Sequence, residues 1–191
     1  METQYKKGSE GIYNVHFLIE HREAQVPEPI HLCWKLPALN VKGVWRCGGI
    51  HDKRLRYDWE LDHHQSRISV DAPVLCVFGH GDENVVTFAC SDVVNLIEMN
   101  ALLREEDCFL YCHLTFFQEP HPAIKQYEAV VRVDLRKVPF SKSIRGISRW
   151  WESFETLKPC VVPAIAKAPL YSTWYNYCLL YTSDAADAPY V

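Results

Sequence analysis

Tyr127-Glu128-Ala129-Val130-Val131-Arg132-Val133-Asp134-Leu135 places Tyr127, Ala129, Val131, Val133 and Leu135 on one side of an extended chain. Glu128, Val130, Arg132 and Asp134 fall on the other. A period of two with one apolar side describes a strand that is buried on one face and wet on the other. The same pattern runs through Tyr13, Val15, Phe17 and Ile19, set against Asn14, His16 and Leu18. Residues 108–117 differ. There Cys108, Leu110, Cys112, Leu114 and Phe116 oppose Phe109, Tyr111, His113, Thr115 and Phe117, apolar on both faces, as expected of a central strand. Further strands are expected at residues 30–36, 41–46, 66–70, 74–78, 85–89 and 95–103.

Turn chemistry separates these runs. Gly79-His80-Gly81-Asp82-Glu83-Asn84 is a hairpin loop, Pro27-Glu28-Pro29 interrupts pairing, and Arg104-Glu105-Glu106-Asp107 is a charged turn. Many short strands joined in this way predict a mainly β fold, an antiparallel β-sandwich over residues 1–140. The pattern changes after Pro139. Ser148 is expected to N-cap a short helix in which Trp150, Phe154 and Leu157 share a face and which Pro159 ends. The helix belongs to a linker, residues 141–169, punctuated by Pro163 and Pro169. A strand-like run, residues 170–177, follows.

Composition bounds the function classes. The chain has 191 residues, 48% of them hydrophobic, enough to exclude a disordered tail. A net charge of −4, with no long Lys/Arg run, argues against nucleic acid as a partner. No apolar window has the length of a membrane span, and no apolar segment follows the N-terminal Met1–Lys7, so the expected location is the cytoplasm. None of the eight cysteines forms a Cys-x-x-Cys pair. Cys108 and Cys112, four apart in one strand, would be roughly 13 Å apart, too far for a disulfide. The cysteines are expected to be small buried hydrophobes in a reducing compartment.

The end of the chain stands apart. Cys178-Leu179-Leu180-Tyr181-Thr182-Ser183-Asp184-Ala185-Ala186-Asp187 back-translates into a run that resembles a transposon-end adapter of DNA sequencing libraries. Residues 178–191 are therefore expected to be an artefact tail, and the natural sequence to be truncated at Tyr177.

No group of residues announces a catalyst. Asp62-His63-His64 invites a metal, but neighbours in a strand point to opposite faces, and these are expected to be solvated loop histidines. No metal ligand and no cofactor is assigned. No nucleophile elbow or phosphate-binding glycine loop is present. The six Trp and ten Tyr are mostly core, Trp34 and Trp45 in particular. Trp59, in the polar run Arg54-Leu55-Arg56-Tyr57-Asp58-Trp59-Glu60, is either a lid on the core or a ring for a sugar to stack on.

Ala168-Pro169-Leu170-Tyr171-Ser172-Thr173-Trp174-Tyr175-Asn176-Tyr177 resembles the entry into the catalytic barrel of α-galactosidases of glycoside hydrolase family 36 and the melibiase clan. Arg145-Gly146-Ile147-Ser148-Arg149-Trp150-Trp151-Glu152-Ser153-Phe154-Glu155 resembles the linker before that barrel. Asp92, Asn95, Glu98 and Arg104–Cys108 resemble its N-terminal sandwich. Where family members often carry Thr-Trp-Glu-Ala, this chain has Thr173-Trp174-Tyr175-Asn176. The resemblance implies an N-terminal super-sandwich domain and then the first strand, residues 170–177, of a (β/α)8 barrel. It implies a retaining hydrolase of terminal α-galactosides or related oligosaccharides, with two Asp carboxylates roughly 5–5.5 Å apart. Those stand on later barrel strands, so no catalytic residue is assigned here, and the fragment is expected to be inactive. Trp174 is the expected sugar-stacking residue, with Tyr175 beside it. Two alternatives stay open: a non-catalytic carbohydrate-binding sandwich, and a structural module that covers the barrel or bridges the subunits of a homo-oligomer.

Overall fold

The computed structural model describes residues 2–7, 10–47, 60–66 and 71–168. Among the described residues, ten strands form two antiparallel sheets. They are β1 (Glu2–Lys7), β2 (Ile12–Gln25), β3 (Ile30–Pro37), β4 (Gly43–Arg46), β5 (Glu60–Ser66), β6 (Val74–Phe78), β7 (Asn84–Cys90), β8 (Ile97–Arg104), β9 (Phe109–Phe116) and β10 (Ile124–Asp134). One sheet has the order β1-β2-β10-β7-β6-β4 and the other the order β3-β9-β8-β5. Their inner faces share one core: Phe17, Leu75, Phe88 and Val131 from the first sheet meet Met99, Leu110 and Leu114 from the second. Trp34 of β3 packs edge-on against Phe88 of β7, with ring centroids 4.9 Å apart. The fold is therefore a mainly β, two-sheet sandwich with a dry interior.

The alternation accounts for this directly. Tyr127, Ala129, Val131 and Val133 of β10 and Tyr13, Val15, Phe17 and Ile19 of β2 all turn to the core, paired in register as Tyr127↔Ile19 through Val133↔Tyr13. β9 lies between β3 and β8, the central position its two-faced apolar run predicts. The hairpin joining β6 and β7 turns through a short 3₁₀ segment, His80–Asp82.

Five expectations need correction. Ser148 is not a cap. The helix α1 spans Phe140–Glu152 and follows Pro139, so Ser148 lies inside it. Phe140 stacks on Phe78 at 4.7 Å and holds the start of the helix, while Ile147 packs on Val74 and Ala89 on the outer face of the six-stranded sheet. Asp62, His63 and His64 lie in β5 rather than in a loop, with His63 opposite Asn100 and His64 opposite Met99. An edge strand of one sheet tolerates such polar residues, since only one neighbour has to be matched. β5 ends at Ser66, where the strand was expected to begin, and residues 67–70 lie outside those described. Cys108 leaves β9 and takes a φ of 56° in the preceding turn. Nor are the cysteines uniformly buried: Cys76, Cys90 and Cys112 are, but Cys33, Cys108 and Cys160 are exposed.

Two compact units divide the chain, Met1–Leu157 and Lys158–Val191. The first contains the sandwich and α1. The second is described to residue 168 and contains a 3₁₀ turn, Ala164–Lys167. Among the described residues no helix is long and apolar enough to cross a membrane.

Candidate functional site

The sequence-predicted site residues Trp174 and Tyr175, and the loop ring Trp59, lie outside the described residues. Two constellations of the sandwich remain.

The first is the outer face of the four-stranded sheet. Pleating sends His31, Cys33 and Lys35 of β3 to the side away from the core, and β9 and β8 send Tyr111, His113 and Arg104 there too. Register aligns Cys33 with His113 and Lys35 with Tyr111. The Tyr111 and His113 rings lie within 19° of parallel, with centroids 6.5 Å apart. Burial, then the charge of Arg104 and then His31, lowers the pKa of His113 below the ordinary histidine value, which favours a neutral imidazole. His31 Nδ1 lies 3.1 Å from Thr115 Oγ1. Asp107 accepts a hydrogen bond from the Tyr111 hydroxyl, which is the main reason its carboxyl sits below the usual range, and Lys35 adds an ion pair at 3.7 Å.

Near-parallel rings on a sheet face invite a sugar, whose C–H groups stack on an open aromatic surface. Here cations already lie over the rings. Arg104 stands 4.4 Å from the centroid of Tyr111, and Lys35 stands 4.2 Å from that of Phe109. A saccharide would have to displace a cation–π contact to reach Tyr111. Sequence reading passed over this face. The signal was present in the strict alternation of residues 109–115, which sets Tyr111 and His113 on one side.

The second constellation sits where β7 leaves its sheet. Asp92 Oδ1 accepts the backbone N–H groups of Val94 and Asn95, both at 3.0 Å. Asp92 Oδ2 accepts from Asn95 Nδ2 and from the Tyr127 hydroxyl, both at 2.8 Å. Burial, and then the adjacent Asp92, raises the Tyr127 phenol well above its ordinary pKa, so it stays a donor. His121 Nε2 lies 3.3 Å from Asn95 Oδ1, and Phe117, at a φ of 58°, meets both His121 and Tyr127 edge-on. A cleft of about 510 Å³ opens beside this corner, between Asp92, Tyr127 and Leu157.

No family model, curated protein or solved structure matches this chain.

The corner's own chemistry is that of a latch. Both carboxylate oxygens of Asp92 are spent on internal donors, three from the following loop and one from the neighbouring strand β10. Such an arrangement fixes the exit of β7 and leaves Asp92 no hydrogen-bonding capacity suited to proton transfer. Among the described residues, no group of three or more His, Cys, Asp or Glu side chains is arranged to hold a metal ion. His63 and His64 follow one another along β5, opposite Asn100 and Met99.

Proposed function

We propose that this chain is the N-terminal region of a retaining, α-galactosidase-like glycoside hydrolase of the family 36 type. One observation carries the reading: the Pro-led run of residues 168–177, which resembles the entry strand of that family's catalytic barrel, follows a two-sheet sandwich and its covering helix. In this reading residues 170–177 form the first barrel strand, and Trp174 stacks on the terminal galactose with Tyr175 beside it. The nucleophile and the acid/base are Asp residues on later strands, at the C-terminal face of the barrel, where such sites are built. The sandwich supports the barrel and needs no cofactor. Recovery of the downstream coding sequence tests this. The full-length enzyme should cleave an aryl α-galactoside, and the 191-residue chain should not, because oxocarbenium-like chemistry needs both carboxylates. Activity in the short chain would overturn the assignment of catalysis to later strands. Cleavage of a different α-glycoside by the full-length enzyme would overturn the substrate alone.

The near-parallel Tyr111 and His113 rings support a second reading, a sandwich that binds oligosaccharides without catalysis, on the condition that the saccharide displaces Arg104 from the face of Tyr111. Loss of raffinose binding by the intact chain on Tyr111→Ala would support it, and absence of any binding would remove it.

A further inference from the structure

One side of α1 and the segment that follows β10 line a groove of about 310 Å³ whose walls include Arg136, Ser141, Lys142, Arg145, Gly146 and Arg149. No carboxylate lines it. Lys142, Arg145 and Arg149 recur at i, i+3 and i+7, the spacing that sets side chains along one stripe of a helix. All three are exposed, and among the described residues none forms an ion pair. Arg136 reaches in from the strand end. Its Nε and Nη2 donate to Asp134 at 2.9 and 2.6 Å, which fixes the guanidinium and leaves its remaining N–H groups available. Gly146 leaves room for this approach: a Cβ there would stand 3.3 Å from Arg136 Nη2, and the guanidinium would have to give by a few tenths of an ångström. A glycine inside a helix is less favourable than alanine, so this approach is accommodated at some expense in helix stability.

Like charges gathered on one stripe repel, and Lys142 in the first turn also lies at a helix start, which favours negative charge, although Arg149 in the last turn stands where the helix favours a cation. In α1 neither usual remedy is present: Pro139 supplies no side-chain cap and the first turn contains no acidic residue. The chain as a whole carries a net charge of −4, so the cluster is a local exception to its composition. A groove lined by these cations, a pre-oriented guanidinium and the Ser141 hydroxyl suits a compact ligand with several acceptor oxygens and a full negative charge.

We propose that this groove binds a tetrahedral oxyanion, the phosphate or sulfate group of a small ester. The inference stands apart from the glycosidase reading and involves none of its residues. The intact chain is titrated calorimetrically with inorganic phosphate, inorganic sulfate and acetate, at constant ionic strength set by chloride. Phenyl phosphate and phenyl sulfate then tell the two ester types apart. Saturable one-site binding of phosphate or sulfate is expected, with acetate at least tenfold weaker. Arg145→Glu/Arg149→Glu should weaken it tenfold or more with the circular dichroism spectrum unchanged, since both side chains are exposed. Lys42→Glu, which removes an exposed cation paired with Asp82 elsewhere, should change it less than twofold. No saturation above the chloride background, equal loss in both variants, or acetate binding as tight as phosphate would each overturn the proposal.

Discussion

Asn84 is fully buried and uses every arm of its amide. Nδ2 donates to the carbonyls of Asp134 and Arg136, each at 3.0 Å, and Oδ1 accepts from the Thr87 hydroxyl at 2.7 Å. Asn84→Ala strands these two carbonyls, the Thr87 hydroxyl and the Cys76 thiol, which also donates to Oδ1, and should cost about 2–4 kcal/mol in urea unfolding, given roughly 1–3 kcal/mol for each unsatisfied buried group. Asp134, also buried, is under two opposed influences. Burial would raise its pKa, but the hydrogen bonds and charge of Arg136 outweigh it and hold the carboxyl below the ordinary value. A carboxyl with a lowered folded-state pKa contributes stability in full above its unfolded value, about 3.9, and loses it as pH falls through the folded value. Asp134→Asn should therefore be least stable relative to the parent at pH 7, with the gap closing below about pH 4 in unfolding curves taken at each pH. Cysteine reactivity divides by the same physics. Burial pushes Cys76 and Cys90 up to about 12 and raises Cys112 as well, whereas Cys33, Cys108 and Cys160 are exposed. Native thiol titration should show those three among the fast-reacting thiols, and the triple Ser variant should shrink that phase by three equivalents while Cys76, Cys90 and Cys112 wait for denaturant.

Helix α1 shows what a sequence displays and what it conceals. Phe140, Ile144, Ile147 and Trp151 recur at four, three and four residues, a helical stripe visible in the sequence itself. Ser148, a residue type that favours caps, drew attention to the wrong end of the helix. Packing decides otherwise: Ile147 is 1% exposed, and the Trp151 indole N–H donates to the carbonyl of Cys90 at 2.9 Å. Ile147→Ala should cost about 2–4 kcal/mol and Ser148→Ala less than about 0.5, both read by urea denaturation. Equal effects would return the helix start to Ser148. The strands were more legible, because a period of two with one apolar face leaves few alternatives. β5 was the exception, since Glu60–Ser66 carries no apolar alternation and owes its place to pairing with β8. Tyr111 and His113 were assigned their side of the sheet by alternation, but the capping of Tyr111 by Arg104 joins the end of one strand to the middle of the next. The basic groove escaped notice because its four cations are spread over residues 136–149 instead of forming one run.

At the scale of the molecule, turn signals and alternation established a two-sheet antiparallel sandwich, while strand order came only from the structure. Sequence marks which residues face inward, but it does not say which neighbour each strand takes. Residues 178–191, resembling translated adapter, should contribute nothing to stability. Deleting them should leave the melting temperature unchanged, and a loss above roughly 1–2 kcal/mol, an ordinary mutational effect, would count against that origin. The pairing of β2 with β10 has a temporal consequence. Residues 12–25 are synthesised more than a hundred residues before the strand that completes their side of the sheet. On a ribosome the neighbouring β8–β9 hairpin closes within its own twenty residues, while the β1–β2 ribbon waits with a bare edge until residue 134 has emerged. Such distant closure slows folding and prolongs the interval in which that edge is open to another nascent chain.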